Sequence, residues 1–495
     1  MTFFQFLIVA VYSLCLAFIF FYSLVQLHLT ILYWRAHRKK QKATIPAAAS
    51  RETDWPAVTV QLPVYNERYV VERLIDAVTA LDYPRHRLQV QLLDDSTDDT
   101  SAIIAQKISA YSGSGISFEH IRRQERTGYK AGALQYGLER ASGTFIAIFD
   151  ADFVPAPDFL KRTIPAFTHE RVGVVQTRWG HLNSGYSLLT RLQAFGLNAH
   201  FTIEQSGRNS GGHFINFNGT AGVWRKSCIT DAGGWQDDTL TEDLDLSYRA
   251  QLRGWQFQYL EEVEAPAELP AAMGALKSQQ FRWTKGAAET ARKHLPKVLR
   301  SRLSLPTKLH ATFHLLNSSV FVCVLLTALL SIPVLHLKHA IPGLDLLFRL
   351  GSLLIISLVA LLAFYWTALY QETRSAWQTT KRFIPEFFLF LSMSMGLSLH
   401  NSLAVLEGYI GKKTPFIRTP KHNLVNRRDT WRQHAYAVAS INPVTLLEGL
   451  LTLYFGYGMV LAFQLQDYGL LPFHAMLAFG FGSIFFYSLY HSKSA

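Results

Sequence analysis

The sequence predicts an α/β, Rossmann-like domain inserted between membrane-spanning helices, and three observations support this. Long apolar stretches occupy both end regions of the 495-residue chain. Between them, strand-like runs alternate with helical stretches over residues 54–300, a pattern typical of a mostly parallel sheet with crossover helices. Acidic side chains directly follow two of the strand-like runs, at the sheet edge where such domains bind ligands.

The composition agrees with an integral membrane protein, since 49% of the residues are hydrophobic and 17% are charged. A membrane-crossing helix needs about 20 apolar residues. Residues 1–34 supply one such helix, which is too long for a cleaved signal peptide, and a basic linker follows at 35–53. The carboxyl-terminal membrane region, residues 301–495, is predicted to contain four more crossings, at 312–336, 344–370, 443–465 and 469–491.

Residues 384–410 are also apolar, but basic residues flank them on both sides. Because basic flanks favour the cytoplasmic side, we expect a helix lying in the membrane interface there, followed by a loop at 411–428. Five crossings place the amino terminus outside, and they place the carboxyl terminus and the domain at 54–300 in the cytoplasm. The expected location is the plasma (inner) membrane, or the Golgi membrane of a eukaryote.

The formal net charge is +12, which alone would be compatible with nucleic-acid binding. Much of the positive charge lies beside apolar stretches, where it is typical of topology signals and lipid-headgroup anchors. We therefore expect a lipid bilayer and no nucleic acid among the partners. Three cysteines, Cys15, Cys228 and Cys323, provide neither a disulfide framework nor a cysteine zinc cluster.

Two acidic pairs are candidates for binding a metal and a phosphate. Asp150 and Asp152 end a strand-like run, and Mg²⁺ typically takes one or two carboxylates together with substrate phosphates. A turn or a helix cap is the alternative for these two residues. Asp94 and Asp95 follow another run, and strands of one parallel sheet bring their ends together. This second pair could bind base, ribose or metal.

A segment after the first strand, Pro63 to Glu67, could form the lip of a nucleotide site. In that interpretation Tyr65 contacts the base and Glu67 contacts the ribose, whereas the alternative is a capped loop. Lys130, at a helix start, could face a phosphate or be a solvated lysine.

Glu242 and Asp243 are predicted to lie in the first turn of a helix. If that turn points into the site, Asp243 is the candidate base, which must reach an acceptor hydroxyl within about 3 Å. The alternative is a capping box between Thr239 and Glu242.

Gln279, Arg282 and Trp283 share one helix face by their i, i+3, i+4 spacing. Trp283 could stack on a sugar while Arg282 neutralises a diphosphate; the alternative is an amphipathic helix beside the membrane. Thr419 and Lys421 could belong to a mobile lid that contacts phosphates, or to a plain basic loop.

In this order, the motifs resemble family 2 glycosyltransferases of the cellulose synthase-like superfamily. They are particularly similar to the CslA/CslC group of mannan, glucomannan and glucan synthases. The matching motifs are Val60-Gln-Leu-Pro-Val-Tyr-Asn-Glu, Leu93-Asp-Asp-Ser-Thr-Asp, Gly128-Tyr-Lys-Ala-Gly-Ala-Leu, Ala147-Ile-Phe-Asp-Ala-Asp-Phe, Phe217-Asn-Gly-Thr-Ala-Gly, Glu268-Leu-Pro and Gln279-Gln-x-Arg-Trp.

The resemblance implies a GT-A fold and inverting, Mg²⁺- or Mn²⁺-dependent transfer of a hexose from GDP-mannose or UDP-glucose. The acceptor would be a growing β-linked polysaccharide, of the β-1,4 type, that is moved across the membrane, and accessory export proteins would be further partners. Asp243 would be the base, and Asp150 and Asp152 would bind metal. The implied donor-binding residues are Pro63, Tyr65, Glu67, Asp94, Asp95, Lys130, Asp150, Gln279, Arg282, Thr419 and Lys421. The implied acceptor-binding residues are Asn218, Gly219, Thr220, Glu242 and Trp283.

Two other functions compete with this interpretation. A single-transfer enzyme that makes a glycolipid would use the same carboxylates on a lipid acceptor. A catalytically silent membrane partner or a polysaccharide-binding protein would not need the intact acidic clusters.

Overall fold

The computed structural model describes residues 1–40, 55–341, 344, 354–426, 428–432, 434 and 443–492. A long amino-terminal helix, α1 (Phe3–Lys40), precedes an α/β domain. The predicted linker at 35–53 lies mostly outside the described residues. The helices of the domain are α2 (Val71–Thr79), α3 (Thr100–Ala110), α4 (Tyr129–Arg140), α5 (Phe159–Thr163), α6 (Leu188–Ala199), α7 (Ser206–Ser210), α8 (Lys226–Asp231), α9 (Glu242–Leu252) and α10 (Met273–Arg300).

The described strands of the domain form one seven-stranded sheet in the order β3-β2-β1-β4-β6-β5-β7. They are β1 (Val58–Val64), β2 (Leu88–Asp94), β3 (Ser117–Arg122), β4 (Phe145–Ile148), β5 (Val172–His181), β6 (Gly222–Arg225) and β7 (Gln256–Ala267). The sheet is mixed, because the short strand β6 is antiparallel to both β4 and β5. The sequence pattern did not predict β6. Because β6 is antiparallel to both of its neighbours, β5 runs in the same direction as β4. The strands β5 and β7 therefore end at the same edge of the sheet as β1, β2 and β4.

The two faces of β1 and β2 differ in chemistry. Val58, Val60 and Leu62 are fully buried in a hydrophobic core on one face. On the other face, the Thr59 hydroxyl donates to Gln89 Oε1 at 2.6 Å, and Gln61 Nε2 donates to Gln91 Oε1 at 3.1 Å. The alternation fixes the strand register, since a slip by one residue would bury the amides among aliphatic side chains.

The described residues include five helices that are long and apolar enough to cross a membrane. The helices of the carboxyl-terminal region are α11 (Leu305–Leu315), α12 (Ser319–Ala340), α13 (Leu354–Thr373), α14 (Ala376–Gly396), α15 (Ser398–Ile410), α16 (Pro443–Gln464) and α17 (Leu471–Ser492). The predicted crossing at 312–336 starts too early, because the chain breaks between α11 and α12. The first residues of the predicted crossing at 344–370 lie mostly outside the described residues.

The prediction of a single helix at 384–410 is wrong, because two helices occupy this stretch. The chain folds there into α14 and α15, which are bent by 50° at a short break, and this pair would be a sixth crossing if it spans as one unit. Its α14 half packs closely on α17, since a Cβ placed on Gly396 would lie 2.4 Å from the carbonyl oxygen of Gly480. An interfacial position for the pair stays a prediction.

Candidate active site

An open cleft of about 1260 Å³ lies at the carboxyl edge of the sheet. Five strands deliver side chains to it from their ends, as expected where parallel strands terminate together. The sequence-predicted residues that line the cleft are Pro63, Tyr65, Glu67, Asp95, Lys130, Asp150, Asp152, Asn218, Gly219, Glu242, Asp243, Gln279, Arg282, Trp283, Thr419 and Lys421. Asp94 and Thr220 are not among the lining residues.

Each of the two carboxylates that follow β4 is paired with a lysine. Lys130 Nζ lies 2.5 Å from Asp150 Oδ1 and donates to the carbonyl oxygen of Gly219 at 3.0 Å. Lys421 Nζ lies 2.6 Å from Asp152 Oδ2. The backbone N–H of Glu268 donates to the same Asp152 oxygen at 3.0 Å. Two cations therefore compensate this acidic pair from opposite sides of the cleft.

A second ion pair connects the lip after β1 with the loop after α15. Arg418 Nη1 lies 3.1 Å from Glu67 Oε1. The other carboxylate oxygen, Glu67 Oε2, is buried and has no hydrogen-bond partner among the described residues. Burial raises the pKa of Glu67 to about 8, against the opposing charge of Arg418. An unpartnered acceptor of this kind is suited to a ligand hydroxyl.

Asp94 and Asp95 have different roles although they are adjacent. Asp95 lines the cleft, where Arg123 Nε donates to its Oδ1 at 3.0 Å. Asp94 points away from the cleft and accepts bonds from the Ser96 N–H at 2.9 Å and the Ser101 hydroxyl at 2.6 Å. Although burial opposes ionisation, these bonds and His120 lower the pKa of Asp94 to about 2. In this structure Asp94 is engaged by Ser96 and Ser101 and does not line the cleft, and its expected contact with a nucleotide stays a prediction.

Asp243 lies in the first turn of α9, beside Gly219. A Cβ placed on Gly219, whose φ is +81°, would lie 3.0 Å from Asp243 Oδ2. Burial and the adjacent Glu242 raise the pKa of Asp243 to about 7. The capping box is not formed, because the N-cap residue of α9 is Thr241 and it makes no side-chain capping bond. Of the three carboxylates in this turn, Glu242 and Asp243 line the cleft, which favours the functional interpretation.

The segment that precedes β6 divides into lining and supporting residues. Asn218 lines the cleft, and its Nδ2 is buried without a partner among the described residues. Thr220 is fully buried, and its hydroxyl accepts from the N–H of Asp150 at 2.9 Å. Thr220 therefore holds the backbone of Asp150, and its expected contact with the acceptor stays a prediction.

The predicted helix face on α10 forms one wall of the cleft, where Gln279, Arg282 and Trp283 line it together. The guanidinium of Arg282 lies 4.5 Å from the ring centroid of Phe416, which itself stacks on Tyr129 at 5.9 Å. The segment 416–421 thus closes over the cleft in this structure. Thr419 is buried there, and its hydroxyl has no partner among the described residues.

Several lining residues were not predicted as site residues. Trp179 and His181 end β5, Glu268 follows β7, and the guanidinium of Arg126 lies 3.4 Å from the ring centroid of Tyr65. The ring nitrogens Trp179 Nε1 and His181 Nε2 are buried without partners among the described residues. Ligands of such sheets bind at the carboxyl ends of the strands. This rule would have identified Trp179, His181 and Glu268 if the directions of β5 and β7 had been known from the sequence.

The donor set at the end of β4 fits a hard divalent cation. Asp150 and Asp152 offer carboxylate oxygens, the ligands that Mg²⁺ and Mn²⁺ prefer. Both carboxylates already attract a positive charge, from Lys130 and Lys421. A cation bound there would share these oxygens or replace the lysines.

Comparison with known proteins agrees with this geometry. Residues 56–286 match the family described as glycosyltransferase like family 2. This segment is therefore similar to family 2 glycosyltransferases. The glucomannan 4-beta-mannosyltransferase 7 of Arabidopsis thaliana is 40% identical over 309 residues, which are 60% of this chain and 55% of the relative. The glucomannan 4-beta-mannosyltransferase 2 of the same plant is 42% identical over 279 residues, which are 55% of this chain and 52% of the relative.

The chain thus spans about half the length of these curated relatives. A solved structure, the mannosyltransferase PcManGT from Pyrobaculum calidifontis in complex with GDP-Man and Mn²⁺, superimposes with a TM-score of 0.54 at 18% identity. The match covers 81% of this chain and 100% of that one. At this level of identity the likeness establishes the fold, and the predicted GT-A fold is confirmed.

Proposed function

We propose that this protein is an inverting, metal-dependent hexosyltransferase that extends a β-linked polysaccharide from a nucleotide sugar at the cytoplasmic side of a membrane. The observation that carries the proposal is the meeting of Asp243, the Asp150–Asp152 pair and the Arg282–Trp283 wall in one cleft. The two plant relatives described above are named as mannosyltransferases. GDP-mannose is therefore the first donor to test, and UDP-glucose is the second.

In the reaction, Asp243 removes the proton from an acceptor hydroxyl as the hydroxyl oxygen attacks the anomeric carbon. The new glycosidic bond forms as the bond from that carbon to the diphosphate breaks, so the configuration inverts and the nucleoside diphosphate leaves. The raised pKa of Asp243 suits this work, since a base is most effective when its pKa lies near the working pH. Glu242 and Asn218 lie beside the acceptor position and would orient the sugar.

Negative charge grows on the departing diphosphate and requires compensation. A divalent cation held by Asp150 and Asp152 would supply part of it. Arg282, Lys130 and Lys421 all line the same cleft and would supply the rest. The nucleobase of the donor would lie between Tyr65 and Asp95. The unpartnered oxygen of Glu67 would be available to a ribose hydroxyl.

A second cavity, of about 810 Å³, supports a polymeric product. It shares Leu197, Gln279 and Trp283 with the cleft and continues between apolar helices to Phe321 and Asn401. Both amide atoms of Asn401 are buried without partners among the described residues. An aromatic-lined passage with an unpartnered amide suits a sugar chain, which presents apolar ring faces and polar edges.

The test uses membranes containing the full chain, Mg²⁺ or Mn²⁺, and radiolabelled GDP-mannose, UDP-glucose or UDP-N-acetylglucosamine in separate reactions. Lipids are extracted, and the remaining label is sized before and after digestion with an endo-β-mannanase or an endo-β-glucanase. We expect large, lipid-free material from one donor, and no such material from the Asp243→Asn variant. Label confined to the organic phase would instead identify a glycolipid synthase. Incorporation that the Asp243→Asn variant retains in full would refute the mechanism.

A further inference from the structure

Three histidines from distant parts of the sequence meet where α1 reaches the catalytic domain. His28 belongs to α1, His213 follows α7, and His310 belongs to α11. One ring nitrogen from each lies within 4.8 Å of the others. His28 Nδ1 is 2.9 Å from His310 Nε2, and the rings of His213 and His310 stack at 3.9 Å. None of the three lines the active-site cleft.

We propose that these histidines form a binding site for a borderline transition-metal ion, with Zn²⁺ as the probe. Imidazole nitrogens suit Zn²⁺, Ni²⁺ and Cu²⁺, whereas Mg²⁺ and Mn²⁺ prefer the carboxylates of the catalytic cleft. Tetrahedral bonds of about 2.0–2.1 Å place ligand nitrogens roughly 3.4 Å apart. The three ring nitrogens would therefore have to adjust their spacing, and the stacked rings of His213 and His310 would have to tilt, to converge on one ion. The fourth position would take water.

The surroundings of the cluster suit such an ion. His310 is buried, and its Nδ1 has no hydrogen-bond partner among the described residues. The Thr307 hydroxyl lies 3.4 Å from His213 Nδ1, where an outer partner can orient a ligand ring. His28 is exposed and lies near the cytoplasmic end of the predicted crossing at residues 1–34, so an ion would reach it from that end. Arg208 is a nearby cation, but Glu204 lies 3.5 Å from it and offsets its charge.

Burial, together with the neighbouring ring and Arg208, lowers the pKa of His310 to about 3. Burial likewise lowers the pKa of His213 to about 4. Neutral imidazoles have the lone pairs that a metal needs. The bound ion would link α1 to the catalytic domain through His213. It would also link α1 to α11, at the start of the carboxyl-terminal region, through His310.

The experiment measures metal content in the purified full-length protein, carrying an affinity tag without histidines. Excess Mg²⁺ is added to saturate carboxylate sites, the protein is dialysed against Zn²⁺, and bound zinc is counted by mass spectrometry. We expect about one tightly bound zinc per chain, with at least tenfold weaker binding in His28→Gln and His310→Gln. His86→Gln, which removes an exposed histidine of the catalytic domain, should bind as the parent does.

Two further readouts keep the result independent of catalysis. Zn²⁺ should raise the melting temperature of the parent but not that of His28→Gln. Co²⁺ should give the visible absorption of a tetrahedral site in the parent alone. A parent without bound zinc would overturn the proposal, as would full zinc retention by His28→Gln. Because His28 is exposed, its variant is expected to fold, so it decides the question even if His310→Gln does not.

Discussion

Lys421 Nζ lies 2.6 Å from Asp152 Oδ2 and 2.8 Å from the carbonyl oxygen of Glu268. The loop after α15 thereby places a half-buried cation on a carboxylate of the proposed metal site. Arg418 of the same loop pairs with Glu67 on the other side of the cleft. The loop is therefore held by the residues that would contact donor and metal, so occupancy of the cleft and position of the loop are coupled.

Replacing Lys421 tests this coupling. Lys421→Ala removes the cation paired with Asp152 and, under the proposed function, a donor to the diphosphate, an interaction worth about 1.5–3 kcal/mol. We expect turnover at saturating donor to fall roughly 10- to 100-fold, with similar protein levels. Lys413→Ala removes an exposed lysine of the same loop and is the matched control. Equal turnover in the two variants would contradict a role of Lys421 in the reaction.

Asp243→Asn keeps the shape of the proposed base but removes its ability to take a proton. Loss of a general base typically costs about 10²–10⁴-fold in rate, and donor affinity should change little. The control is Asp237→Asn, at an exposed position of the loop before α9. Because the folded-state pKa of Asp243 lies above its unfolded value, the stabilising contribution of its protonated form is lost as pH rises through about 7. The neutral variant should therefore melt no lower than the parent at about pH 8.

The same pKa predicts the pH dependence of the rate. Asp243 must be deprotonated to act, and its pKa is raised to about 7. Transfer at saturating donor should therefore increase with pH through about 7 and level off above about pH 8. Enzyme preincubated at each pH and assayed at one common pH controls for unfolding. A rate that stays constant down to about pH 5 would exclude Asp243 as the base.

Lys285 anchors the first part of the same loop. Its fully buried Nζ donates to the carbonyl oxygen of Lys412 at 2.5 Å and to the Thr414 hydroxyl at 2.8 Å. Lys285→Gln should free this end of the loop, since an amide is too short to reach both acceptors. We expect faster proteolysis within 411–421 and a higher KM for the donor. Lys308→Gln, which removes a half-buried lysine of α11 that does not contact the described residues of the loop, should leave both quantities unchanged.

The acidic and aromatic site residues could be predicted because each follows a strand or shares a helix face. Asp150 follows a strand and Trp283 shares a helix face with Gln279, whereas the sequence left open whether the turn that carries Asp243 points into the cleft. Asp94 could not be separated from Asp95 in this way. Which of the two neighbours faces the cleft depends on Ser96, Ser101 and His120, and His120 is brought close only by the pairing of β2 with β3.

The reversal at β6 was equally hidden from the sequence. Four residues give too short a pattern to reveal a strand, and its direction follows from the partners β4 and β5 on either side. That reversal determines where Trp179 and Glu268 lie. In the membrane region, apolar length predicted which stretches are helical, but the bend between α14 and α15 depends on close packing against neighbouring helices.

The closest of these helix contacts gives a prediction that is independent of catalysis. A Cβ on Gly480 would lie 2.0 Å from the carbonyl oxygen of Ser392, so only glycine permits this approach of α17 to α14. Gly480→Val should force the helices apart and destabilise the protein by roughly 1–3 kcal/mol, as overpacking does. Gly456→Val is the matched control, because no atom lies within 4 Å of a Cβ built at that position. Thermal unfolding in detergent should show a lower melting temperature for Gly480→Val alone; equal melting temperatures would mean that α14 does not pack on α17 in this way.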